Sequence, residues 1–205
     1  MTPRLDRDAR KAQLAHAVWQ VILTRGISAV SVRSVAEQAG LVVGSLRHVF
    51  PTRAELMTFS AELMLQRATE RVLAVPWSED PEEYAFNVIE QLLPLTEDSR
   101  AELEVNLALM AEAVALPDLL AIRDRVHQQL REVTTRLVEL LSGPSRDPRH
   151  VDAATQRLHA LIDGLAFHLL HHRPDDDPAW ALDIIRGEMS AIRSGNAADG
   201  RAVQP

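Results

Sequence analysis

GISAVSVRSVAEQAGLVVGSLRHVFPTRAELM, residues 26–57, carries the pattern from which the rest of the chain is read. Val32, Val35, Ala36 and Ala39 stand at i, i+3, i+4 and i+7, the spacing of one buried helix face. Ser31 precedes them in the position of an N-cap, and Gly40 follows them where a helix end needs a residue tolerant of left-handed backbone. Leu46, Val49 and Phe50 repeat the apolar spacing, so a second short helix starts near Val42 or Val43 and stops at Pro51. At about 100° per residue, Gly44, Arg47 and His48 point away from that face, with Val43 and Ser45 at its margins. Thr52 is placed to cap a third helix whose first turn holds Arg53 and Glu55. Two short helices joined by a glycine-bearing turn are a helix-turn-helix unit, whose second helix enters the major groove of DNA.

An ordinary hairpin in a helical core shows the same pattern, and charge separates the two. The chain of 205 residues carries a net charge of -7, which looks wrong for a nucleic-acid binder until it is divided. Residues 1–55 hold eight basic side chains (Arg4, Arg7, Arg10, Lys11, Arg25, Arg33, Arg47, Arg53) and four acidic ones (Asp6, Asp8, Glu37, Glu55), a net +4 that leaves -11 for the remainder. Phosphate attraction follows the local field, so a basic head on an acidic body suits a DNA-contacting protein. No run of apolar residues is long enough to span a bilayer, and MTPRLDRDARK has no apolar core behind its charges. Cysteine is absent, which removes disulfides and thiolate chemistry. A cytoplasmic protein without a membrane partner is expected.

The fold expected is all-α, with about nine helices. The first covers about 7–25, the fourth 53–75, and the remaining five about 79–93, 98–115, 117–142, 148–172 and 177–194, divided by proline or glycine. This gives a head at 1–52, a larger helical body at 53–194 and a polar, disordered tail at 195–205. Leu158, Leu161, Ile162, Leu165 and Leu169 line one side of the eighth helix, and Leu182, Ile185 and Met189 one side of the ninth. Stripes this wide predict pairing with the same helices of a second copy, a two-fold four-helix interface.

The order of parts, together with SVRSVAEQAG, GSLRHVF and PTRAEL, resembles the TetR family of transcriptional regulators over roughly residues 10–56. LIDGLAFHLL in the eighth helix is similar to the BetI-like branch. The resemblance implies a homodimer, most often a repressor, that binds a palindromic operator and is released by a small molecule held in the body. It places Ser31 and Arg33 at phosphate or base edges, Val43, Ser45 and His48 at base-reading positions, and Arg53 at backbone phosphate. Gly44 and Arg47 complete the expected DNA face. Arg47 departs from the family's usual tyrosine, and the Val42-Val43 pair departs from its usual polar cap. The family's enclosed ligand site makes Asn87, Asn106 and His127 its polar candidates, with Met110, Phe167, Trp77 and Phe86 as apolar walls.

Two other functions compete. His159, His168, His171 and His172 gather in the eighth helix with Asp163 one turn after His159, the raw material of a metal-dependent helical enzyme. Against it, adjacent His-Asp, HExxH and a glycine-rich phosphate loop are all missing, and His171 and His172 suit a helix C-terminus on electrostatic grounds alone. No catalytic residue, metal or cofactor is therefore expected. The remaining alternative is a ligand-binding protein with a vestigial head.

Overall fold

The computed structural model describes residues 3–143 and 147–195, so the expected tail lies outside the described residues except for Gly195. Among the described residues the structure is helical throughout: α1 Pro3–Arg25, a 3₁₀ turn Ile27–Ala29, α2 Val32–Gln38, α3 Val43–Val49, α4 Arg53–Leu73, α5 Pro81–Glu90, α6 Glu97–Glu112, α7 Pro117–Ser142, α8 Pro148–His171 and α9 Ala179–Ser194. Several ends differ from the sequence reading by a few residues, and two of them have a local cause. Helix α5 starts later because Asp80 caps it, its side chain accepting from Glu82 N at 2.9 Å, with Pro81 in the first helical position. Helix α6 ends earlier because the backbone tightens into turns, Ala113 N to Met110 O and Leu116 N to Ala113 O, ahead of Pro117.

Packing groups the chain into two units, residues up to 70 with 98–126, and 71–97 with the described residues from 127 onward. In this grouping most of α6 and the first part of α7 go with α1–α3 and most of α4. The core of the head (Leu14, Val18, Val21, Val35, Leu46, Phe50, Leu56) belongs to one apolar cluster with Val105, Leu109 and Ala113 around α6 and Leu119 and Ile122 of α7. Trp19 ties α1 to α4, donating its indole N–H to Ser60 O at 3.3 Å beneath the guanidinium of Arg67. In the second unit, α8 and α9 bury Leu158, Ile162, Leu165 and Leu169 with Ile185, Met189 and Ile192, and Arg157 Nε donates to Glu188 at 3.2 Å. No described helix is long and apolar enough to cross a membrane.

Candidate DNA-reading surface

Helices α2 and α3 have seven residues each, too short to hold without help, so their ends matter. Ser31 and Ser34 form a reciprocal capping box: Ser34 N donates to Ser31 Oγ at 3.0 Å, and Ser31 N donates to Ser34 Oγ at 2.9 Å. Ser34 also donates to Ala29 O at 2.7 Å, binding the preceding turn to the helix. The partner residue was missed in the sequence because a box usually carries Glu or Gln there. Gly40, at φ 65°, makes the expected left-handed turn, and Leu41 N closes it on Ala36 O at 2.8 Å.

Helix α3 then presents two faces. Leu46 and Phe50 are buried, at 1% and 5% exposure, and Val43 packs half-buried against the same core. Gly44, Ser45, Arg47 and His48 are exposed, and Arg33 stands exposed on α2. Val42, read in sequence only as a missing polar cap, is the further residue on this surface. It occupies the N-cap with extended backbone, makes no side-chain cap bond, and is 75% exposed. An aliphatic side chain so displayed has the chemistry to pack on an apolar group such as a thymine methyl.

Arg53 is placed differently from the other cations. Its Nε donates to Val30 O at 2.9 Å, Nη2 to Ile27 O at 3.1 Å and Nη1 to Glu112 at 3.2 Å. Thr52 caps α4 as read from the sequence, accepting from Glu55 N at 3.1 Å.

Residues 81–193 match the family described as "BetI-type transcriptional repressor, C-terminal". The chain is also 33% identical over 172 residues to the HTH-type transcriptional regulator PksA of Bacillus subtilis (strain 168), covering 83% of each. This is a TetR-family transcriptional regulator. A solved transcriptional regulator from Rhodococcus sp. Rha1 superposes with TM-score 0.78 at 26% identity, over 90% of this chain and 96% of that one. A regulator from Saccharomonospora viridis in complex with choline has the same fold, with TM-score 0.69 and 21% identity over 92% of this chain and 97% of that one.

In this TetR-family chain the remaining predicted residues are placed as follows. Asn106 and Met110 are half-buried on α6 in the first unit. In the second unit Asn87 is half-buried on α5, His127 is exposed on α7, and Phe167 is 53% exposed with its ring edge-on to His171. Trp77 is 66% exposed beside Tyr84, and Phe86 lies under the guanidinium of Arg186 at 4.3 Å. None of them lines the groove along α7 formed by Gln128, Arg131, Glu132, Thr135, Arg136 and Glu139.

His159 is 8% exposed, 3.5 Å from Asp163, with the ring of His127 at 4.8 Å. Burial lowers its pKa; Asp163 opposes this, and His127 and Arg131 reinforce it. Among the described residues no three His, Cys, Asp or Glu side chains converge as a metal site.

Of the residues expected between subunits, Leu158, Ile162, Leu165, Leu169, Ile185 and Met189 are at most 4% exposed within the single chain. Leu161 and Leu182 are half-buried. The apolar surface of the first six is taken up within the chain, and that of Leu161 and Leu182 only in part. The apolar and small residues that α8 and α9 leave exposed include Ala153, Ala160, Phe167, Ala179, Ile184 and Gly187, set among polar ones such as Gln156, Asp163, Asp183 and Arg186.

Proposed function

We propose that this TetR-family regulator acts in the cytoplasm as a homodimeric repressor, binding a palindromic operator and leaving it when a small molecule occupies the body. The observation that carries the reading is the division of α3, with Leu46 and Phe50 anchored and Val42, Gly44, Ser45, Arg47 and His48 displayed together. His48 and Ser45 supply donors and acceptors for base edges, and Arg47 can take a phosphate or a guanine through its planar fork. Ser31 and Arg33, at the start of α2, meet the backbone.

The second copy is supported by the outward face of α8 and α9. Ile184 is 44% exposed, and a Cβ built on Gly164 or Gly187 meets nothing within 4 Å, so another helix can approach closely there. Two-fold pairing would give the dimer two heads for the two halves of an inverted repeat. The effector reading is supported by the S. viridis neighbour, which is in complex with choline. Linkage then requires effector and operator to weaken each other by one factor.

The test is selection of purified protein against random duplexes. An inverted repeat with half-site centres about 34 Å apart, or a multiple of it, is the expected result. Recovery of no preferred sequence would leave a ligand-binding protein with a vestigial head.

A further inference from the structure

We infer that Arg53 is a positioning residue that, with Glu112, clamps the entrance of the helix-turn-helix to the end of α6, and that it is not a phosphate contact. Each residue sits at the wrong end of its helix for its charge. Arg53 opens α4 and Glu112 closes α6, so the positive group stands at a positive helix end and the negative group at a negative one. Brought within 3.2 Å, the two compensate each other. Both are half-buried, with side-chain exposures of 34% and 28%, where such a pair is less screened than on an open surface.

The fork is used on three nitrogens. Val30 O and Ile27 O, which accept from Nε and Nη2, belong to the 3₁₀ turn and to the residue just before the Ser31 cap. Ile27 O also accepts from Val30 N at 3.1 Å, so Arg53 fastens the carbonyl that closes the turn. Lysine has the charge but not the geometry to hold two carbonyls and a carboxylate at once. Val30, Leu109 and Ala113 lie in one continuous core, so the clamp spans elements already packed together. Its consequence is that the end of α6 fixes where α2 begins, and through α2 the pose of α3. A cation already neutralised by Glu112 has little left to offer a phosphate.

The functional part rests on the DNA reading; the clamp does not. Two measurements on the full-length protein separate them. The first is hydrogen exchange of amides 30–35 in Glu112→Ala, which should quicken relative to wild type. The second is affinity for the selected duplex against salt. Glu112→Ala, Arg53→Gln and Arg53→Lys should each lose about tenfold in affinity with the slope of log K unchanged, as removal of a charge-assisted bond predicts. Unchanged exchange in Glu112→Ala overturns the clamp. So does a tighter complex in Glu112→Ala, or a slope flattened by about 1.8 per dimer in Arg53→Gln with Arg53→Lys like wild type, since each lost phosphate contact removes about 0.9. Should the Arg53 variants fail to fold, Glu112→Ala decides. If the wild type selects no duplex, exchange still decides the clamp, and the failure belongs to the DNA reading.

Discussion

The missing cap on α3 can be restored by one substitution. Val42 holds φ -71° and ψ 132°, the extended geometry of an N-cap, and offers no acceptor to the helix. It is 75% exposed, so Val42→Ser gives up little burial. A serine there can accept from the N–H two or three residues on, as Ser31 does for α2 at 3.0 Å. The gain expected is about 1 kcal/mol, or roughly 2–4 °C in Tm for a protein of this size. Ser31→Ala is the control in the opposite direction and should lose at least as much, because it removes one bond of the capping box and unsettles the other. Urea unfolding followed by circular dichroism measures both. If Val42→Ser unfolds at or below the wild-type midpoint, the start of α3 does not limit stability and the cap argument fails. The variant also bears on function. A local rule broken at the cap, should serine prove more stable there, is expected where the residue has a functional contact. Wild type should therefore weaken on a selected duplex when one half-site thymine is replaced by uracil, and Val42→Ser should not.

His48→Ala should abolish or relax sequence preference in the duplex selection while helix content and subunit number stay as in wild type; unaltered selection removes His48 from the reading face. Ile184→Arg, at a position 44% exposed and so not hollowing the core, should give lone subunits in sedimentation, and a persisting dimer places the interface elsewhere. His159 gives a pH dependence with a definite sign. Burial holds its folded pKa below 6.5 while the unfolded chain keeps the ordinary value, so the unfolded state takes the proton first as pH falls. Its contribution is complete above pH 6.5 and is lost as pH falls through the lowered folded value. His159→Asn should flatten the midpoint-versus-pH curve in that window, and parallel curves for the two proteins would exclude it.

The parts legible in sequence are those that depend on local chemistry. Ser31, Gly40, Thr52 and the spacing of Leu46 and Phe50 each state a backbone or packing requirement that one residue type meets, and the structure has each of them in that role. The stripes of α8 and α9 were legible as buried faces but not as faces of a particular partner. Leu158 and Ile185 would look the same in sequence whether they met their own chain or another. The residues informative for that question are the small and apolar ones left exposed, Ala160, Ile184 and Gly187, too few to set a stripe of their own by periodicity.

Arg53 shows the other limit. In sequence it is a cation in the first turn of the helix after the helix-turn-helix, and the family resemblance implies a phosphate contact. The residue that redirects it, Glu112, lies 59 positions away at a helix end that the sequence reading put three residues later. Only the early close of α6, forced by the turns before Pro117, makes that carboxylate the last residue of the helix. A single cation therefore reads as DNA-facing from family resemblance and as protein-facing from tertiary geometry. The geometry argues for the protein side because three hydrogen bonds at 2.9–3.2 Å, one of them to an opposite charge, would have to break before the guanidinium turned to a phosphate.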